Sequence, residues 1–495
     1  MTATANSDSK RRWFILALIG LAQLMVVLDV TIVNIALPSA QKDLGFSDDS
    51  RQWIVTAYAL SFGSLLLLGG RVGDLFGRKR VFVTGLTGFA IASAVGGVAQ
   101  SFDVLVVARA LQGGFAALLA PAALSLLTTT FIIPSERNTA FGVFGVIAGS
   151  GAAVGLILGG ALTEYLDWRW CMYVNLILAV PAAIAALRLL GEETAAAERP
   201  RIDIPGTLTA SAGLFGLVYG FSNAATHGWG APLTIAALAA GVALLAAFIA
   251  IERCVDHPLL PLRVVAHRGR GGAYLAVAIV GAGMFGVFLF LTYYMQQTLG
   301  FSPLKTGLAF LPMMAVLIPT GAIGQTRLVP RFGARRLVTL GMVLGATAML
   351  ILTGVTVDSD YATHVLPGLM VMGLGLGLVM SPAMSTATLG VDRRDAGVAS
   401  AMVNTGSQIG GSIGTALLST LAAGAANNYG AAHRPAADLV AEAAVHGYTT
   451  AFTWSAAIFA VGALASWLLL PGGAPELEPD APANINAAEP VAVGA

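Results

Sequence analysis

Four groups of residues interrupt the apolar runs of this 495-residue chain, and each suggests its own chemistry. Asp29 lies in the stretch Leu28-Asp29-Val30-Thr31-Ile32-Val33-Asn34-Ile35-Ala36-Leu37-Pro38. A carboxylate in such surroundings either takes up and releases a proton, holds a cation, or caps a broken backbone group. Arg109 and Gln112 sit one turn apart in Leu105-Val106-Val107-Ala108-Arg109-Ala110-Leu111-Gln112-Gly113-Gly114, so a helix places them on one face. Arg109 either pairs with an acid or snorkels toward water. Gly70-Arg71-Val72-Gly73-Asp74-Leu75-Phe76-Gly77-Arg78-Lys79-Arg80 combines turn glycines with an acid and four cations. Gly151, Gly155, Gly159 and Gly160 form a stripe whose four-residue spacing lets helices approach closely.

The elements that position these residues must be membrane helices. The chain is 56% hydrophobic and 11% charged, where a soluble protein carries about 25% charged residues. Apolar runs recur from end to end, each near the ~20 residues that a bilayer core demands. Hydropathy and turn residues predict spans at 13–38, 52–71, 80–99, 104–128, 139–163, 169–189, 205–224, 231–251, 272–295, 304–326, 335–357, 363–388, 397–423 and 448–470. The first is too long for a cleaved leader and contains Asp29. Counting about 1.5 Å per residue puts Asp29 roughly 13 Å inside from Pro38, and Arg109 about 8 Å inside from Val104. A charge near mid-helix costs about 2.5–3.5 kcal/mol on insertion scales, so Asp29 should face a cavity or a partner.

Basic residues set the orientation. Lys10, Arg11 and Arg12 precede the first span. Every second connection is then basic: Arg71 with Arg78 to Arg80, Arg137, Arg188 with Arg199 and Arg201, Arg253 through Arg270, Arg327 through Arg336, and Arg393 with Arg394. The opposite connections hold only Lys42, Arg51, Arg169, Lys305 and Arg434. Both termini are expected in the cytoplasm of a cell whose plasma membrane the chain spans. A repeat is also legible. Leu44-Gly45-Phe46-Ser47 and Phe76-Gly77-Arg78-Lys79-Arg80 return as Leu299-Gly300-Phe301-Ser302 and Phe332-Gly333-Ala334-Arg335-Arg336 at nearly matched spacing. The expectation is a 6+2+6 plan: N-terminus 1–12, a six-helix bundle over 13–190, two inserted helices with linkers over 191–270, and a second bundle over 271–470. Residues 471–495, with four prolines among acidic and small residues beyond Pro471, are expected to be disordered.

The first-span stretch around Asp29 resembles the first-helix motif of the fourteen-helix drug:proton antiporter branch of the major facilitator superfamily. Gly70 to Arg80 resembles that superfamily's loop between helices 2 and 3, which implies that Gly70, Asp74, Gly77, Arg78 and Lys79 latch the two halves on the cytoplasmic side. Read from the residues alone, the same stretch is equally a solvated turn, with Asp74 near the start of helix 3 where negative charge is favoured. Glu136 and Arg137 are expected as its charge partners. The resemblance at Leu105 to Gly114 implies a part in proton transfer for Arg109, beside Asp29. The glycine stripe resembles the antiporter motif of helix 5, except that Leu156 stands where that motif has proline. Asp167-Trp168-Arg169-Trp170, with Asn175, resembles the branch's junction into helix 6.

What the resemblance implies is an all-α polytopic fold with fourteen helices. Its activity would be proton-coupled export of drugs, antibiotics or other lipophilic small molecules by alternating access. The proton gradient would drive it without a cofactor, and the chain would act as a monomer. A proton-coupled importer and an exporter of a lipid or cell-envelope metabolite are the alternatives. Asn34, Gln112, Tyr293, Gln297, Met313, Asn404 and Gln408 are the candidate substrate contacts, in a wall with few charges. Other classes are disfavoured. Lys10, Lys42, Lys79 and Lys305 are the only lysines, and none follows glycine as a nucleotide-binding loop requires. Cys171 and Cys254 are too few for a thiolate metal site and fall in different regions. No nucleophile–base cluster suggests an enzyme, and a net charge of +1 offers no field for nucleic acid.

Overall fold

The structure is a computed structural model that describes residues 2–47, 50–131, 133–191, 203–255, 258–391, 396–433 and 438–472. Arg199, Arg201, Arg393, Arg394, Arg434 and nearly all of the tail lie outside the described residues. Among those described, regular structure is all helical. The first six helices are α1 (Thr2–Leu44), α2 (Gln52–Phe76), α3 (Arg78–Gly97), α4 (Phe102–Thr130), α5 (Pro134–Tyr165) and α6 (Trp170–Leu189). A hairpin follows, α7 (Ile204–His227) and α8 (Pro232–Glu252), then a short helix, α9 (Leu262–Ala266). The rest comprises α10 (Arg268–Tyr293), α11 (Pro303–Ala309), α12 (Leu311–Ile323), α13 (Val329–Leu352), α14 (Leu366–Thr388), α15 (Ala396–Ala432) and α16 (Leu439–Leu469). Single π turns extend α10 over Tyr294–Thr298, join α12 to α13 over Gly324–Leu328, and open α14 over Tyr361–Val365.

Helices α1 to α6 pack on one another, as do α10 to α16, and the α7–α8 hairpin lies against α2 and α15. One buried apolar cluster runs through α1 to α6, from Ile15 and Phe82 to Ala186. A larger one fills α10 to α16 and reaches across to Ile35, Leu37 and Trp168. The outer surface remains apolar, with Ile91, Val146, Leu208 and Val461 each at least 60% exposed, as lipid contact demands. Eleven described segments are long and apolar enough to cross a membrane. The long stretch Pro303–Leu352 is a single one of them.

Several element boundaries differ from the sequence expectation, for physical reasons. Helix α1 runs on past Pro38 to Leu44. Proline removes one N–H from the ladder, and packing of Ala36, Leu37 and Ala40 in the core holds the last turns. Helix α2 continues to Phe76, so Asp74 lies in its last turn rather than near the start of α3. The reversal is made by Gly77 alone, at φ 88°. The expected break between the tenth and eleventh spans is a kink at Gly333 (φ 78°), because the π turn carries helical geometry into α13. The Ala-rich connection 424–447, between the last two expected spans, is largely taken up by extensions of α15 and α16. Alanine favours continuing a helix over leaving it.

The repeated words have matching backbones. Gly45 and Gly300 have φ of 67° and 65°, and Gly77 and Gly333 have 88° and 78°. Glycine is required at all four, since other residues strain there.

Candidate functional site

Five helices of the first bundle converge on Asp29. Asp29 is fully buried, and Arg109 on α4 is 2% exposed. Nη1 of Arg109 donates to Asp29 Oδ2 at 2.5 Å. The other carboxylate oxygen accepts from Gln112 Nε2 (3.1 Å) and from Asn175 Nδ2 on α6 (2.7 Å). Around this core, Arg109 Nη1 donates to Gln112 Oε1 (2.9 Å) and Nε donates to the Ile54 carbonyl of α2 (3.2 Å). Gln112 Nε2 donates to Ser93 Oγ on α3 (2.7 Å). The Arg109 guanidinium also lies 4.4 Å from the centre of the Tyr58 ring, a cation–π contact. A buried ion pair persists only when its remaining donors and acceptors are met, and these neighbours take up both carboxylate oxygens and Nη1 and Nε of the guanidinium. Two polar atoms at its rim, Tyr58 Oη and Asn175 Oδ1, have no protein partner. Sequence spacing related Gln112 to Arg109; Asn175, Ser93 and Tyr58 come from three other helices, and nothing in their sequence context marks them as neighbours of Asp29.

Close helix approach makes this convergence possible. A Cβ on Gly113 would stand 2.2 Å from the Tyr58 carbonyl, so only glycine brings α4 against α2 here. The stripe on α5 does the same against α1. Cβ atoms on Gly155 and Gly159 would meet Thr31 Oγ1 at 2.0 Å and Ile32 Cγ1 at 2.8 Å, and Gly151 faces Val27. Gly160 turns instead to α11, where a Cβ would stand 2.6 Å from Leu304 Cα. Leu156, the departure from the antiporter motif, is fully buried, and its carbonyl packs on Gly307 of α11.

The remaining candidates do not converge. Asn34 donates to the Val30 carbonyl of its own helix at 2.9 Å. Tyr293 donates its hydroxyl to Gln41 Oε1 (2.6 Å), and the Arg51 guanidinium lies 4.0 Å from its ring centre. Gln297 accepts from Tyr448 (3.4 Å), Met313 is buried in α12, Gln408 packs against Gly63 of α2, and Asn404 is exposed. In the 70–80 segment, Arg71 donates to the Pro258 carbonyl (2.9 Å), Gly70 is in ordinary contact with Pro121, and Arg78 and Lys79 open α3. The side chains of Asp74 and Arg137 lie outside the described residues, and Glu136 pairs with Arg12 at 2.8 Å.

At the end of the bundle where α1 stops, the two halves are bonded. Besides Tyr293 and Gln41, Gln296 Nε2 donates to the Ile35 carbonyl (3.0 Å), and Leu304 N–H donates to Glu164 Oε2 (2.9 Å). The nearby junction into α6 is tied to Asp43, which accepts from Trp168 (3.1 Å) and Arg169 (2.7 Å).

The chain is similar over most of its length to known proteins. The chain is 47% identical over 494 residues to the puromycin resistance protein pur8 of Streptomyces alboniger, covering 99% of this chain and 97% of that one. It is 40% identical to the cephamycin export protein CmcT of Amycolatopsis lactamdurans over 402 residues, 81% of this chain and 83% of that one. In fold it resembles an auto-inhibited POT family peptide transporter, with a TM-score of 0.69 at 17% identity over 93% of this chain and 96% of that one. Residues 19–415 match the family model described as Major Facilitator Superfamily. The family match spans most of the chain, the first of these relatives is alike from end to end, and the chain belongs to the major facilitator superfamily.

Proposed function

We propose that this chain exports lipophilic small molecules of the antibiotic class across the plasma membrane in exchange for protons. Alternating access moves the cargo, Asp29 carries the proton, and Arg109 regulates it. The observation that carries this reading is the fully buried Asp29–Arg109 pair, with Gln112 and Asn175 on the same carboxylate. Relatives that are named resistance and export proteins support the cargo class.

The chemistry follows from the contacts. Ionised Asp29 can accept all three N–H donors; protonated Asp29 is neutral, and its attraction to Arg109 falls away. Arg109 is then held by Gln112, Ile54 and the Tyr58 face. Proton uptake therefore loosens α1 from α4 and α6, and release restores the grip. We place both termini in the cytoplasm and count fourteen crossings. Three more than the eleven apolar segments follow if α2 and α5 each cross, and if Pro303–Leu352 folds back at Gly333. The bonded end of the bundle is then the outer face, and the described state is the one closed to the outside.

The test is Asp29→Asn in proteoliposomes. Asparagine keeps one acceptor and carries no titratable proton. Drug-dependent proton movement should vanish while downhill substrate exchange survives. Uphill export at the wild-type rate from an imposed pH gradient would sink the reading.

A further inference from the structure

A pair of buried acids stands far along the chain from Asp29, at the base of the α7–α8 hairpin. Asp203 precedes α7 and Glu252 ends α8; they are 7% and 5% exposed. Asp203 caps α7 by accepting from Gly206 N–H through Oδ1 (2.8 Å). Its other oxygen, Oδ2, has no partner. Glu252 spends both of its oxygens on the connector after α8, accepting from Leu259 N–H and Leu260 N–H at 3.1 Å each. The position of a Cβ on Gly206 is 2.0 Å from Asp203 Oδ2 and 3.0 Å from Glu252 Oε1, so those two oxygens are at most 5.0 Å apart. The two carboxyl groups therefore face each other at the base of the hairpin.

Two ionised carboxylates cannot share a dry site without a counter-charge. Among the described residues, the cations on the surrounding elements are bonded or exposed. Arg71 on α2 donates to the Pro258 carbonyl, and Arg270 at the start of α10 donates to the carbonyls of Arg263 and Val264. Arg253 just after α8 and His267 before α10 are exposed, and Arg263 on α9 is exposed and has a partner. A metal ion is a poor fit, because calcium takes about 6–8 oxygen ligands and magnesium a near-octahedral set. Here a single carboxylate oxygen is unspent. A proton needs only one donor oxygen and one acceptor.

We propose that Asp203 and Glu252 bind one proton between them, forming a second proton site separate from Asp29. Whichever acid holds the proton donates to the other, and the partner stays ionised. Loss of that proton leaves two facing negative charges, and their repulsion loosens the hold of Glu252 on Leu259 and Leu260. Leu259 and Leu260 are buried in the cluster that contacts α15 through Val398 and Met402, and Pro258 is held by Arg71 of α2. The site thus senses protons where the hairpin, the first half and the second half meet.

The experiment follows Tm against pH for the purified full chain in lipid nanodiscs, comparing wild type with Asp203→Asn and Glu252→Gln. Asparagine keeps the cap on Gly206 and offers an N–H in place of the proton. An acid that binds its proton more tightly in the folded state makes stability fall as pH rises. Wild type should therefore lose Tm above the ordinary glutamate range, about 4.3, and in Asp203→Asn that fall should shrink by about half or more between roughly pH 5 and pH 8. Glu252→Gln gives up one acceptor for the connector, so its Tm should be lower at every pH, with the same flattening. Infrared spectra at neutral pH should show a protonated-carboxyl band that both variants lack. A wild-type slope in both variants, or an unchanged band, would overturn the proposal. So would a Tm gain from sodium, magnesium or calcium that Asp203→Asn abolishes, which would mark a cation site. None of these readouts depends on transport, so failure of the role assigned to Asp29 would leave them untouched.

Discussion

Asp29 is held more tightly than a lone membrane carboxylate could be, because each of its oxygens has a donor from another helix. Breaking a buried pair by removing one partner typically costs about 3–5 kcal/mol. Arg109→Ala should therefore lower the Tm of the purified protein and impair coupling, whereas Arg109→Lys should fold and still couple poorly. Lysine is a point charge and cannot serve Asp29, Gln112 and the Ile54 carbonyl together as the guanidinium does. Asn175 gives a finer test. Its N–H is one of the three donors on the carboxylate, and Asn175→Ala removes it. Asn175→Ala should lower Tm and weaken proton-driven export; wild-type values of both would exclude Asn175 from the site.

At the scale of helices, glycine sets the distances. Gly113 and Gly155 touch backbone or near-backbone atoms of α2 and α1, where a methyl group has no flexible side chain to displace at Gly113. Overpacking of this kind costs about 1–3 kcal/mol. Gly113→Ala should lower Tm and reduce export together, because the shifted α4 carries Arg109 with it. Gly70→Ala is the contrasting control: its Cβ would meet Pro121 at 3.8 Å, ordinary contact, so thermal stability should stay near wild type. Equal Tm losses in the two variants would mean that helix spacing is not what Gly113 maintains.

For the whole molecule, the bond between Tyr293 and Gln41 joins the first half to the second. A cysteine pair at these positions, in a background lacking Cys171 and Cys254, should be joined by a reducible bis-thiol cross-linker, which spans more than a direct disulfide, and this should stop export, with recovery on reduction. Unimpeded export by the fully cross-linked protein would show that this end need not open. Topology has its own check. A cysteine replacing Thr226 should label in intact cells with an impermeant reagent, and labelling only after lysis would reverse the orientation proposed here.

The linear order of residues determined the material of this fold more than its meeting points. Apolar runs interrupted by glycine and basic turns specify membrane helices because water and hydrocarbon sort residues one at a time, and the repeat at Gly45, Gly77, Gly300 and Gly333 is legible because positive φ restricts those sites to glycine. Asp29 and Arg109 stand out for the same reason, as charges in apolar stretches. Helix ends were less legible: α1 passes Pro38 and α13 absorbs a turn, since packing outweighs local breakers there. Only tertiary structure brought Asn175, Ser93 and Tyr58 to Asp29, or set Asp203 against Glu252, because each pair is distant in sequence and joined by the crossing of helices. It likewise separated the polar candidates of the second half, placing Tyr293 at the joint with Gln41 and leaving Asn404 exposed. Residue type limits the chemistry a side chain can do; which atoms it reaches is fixed by how the helices pack.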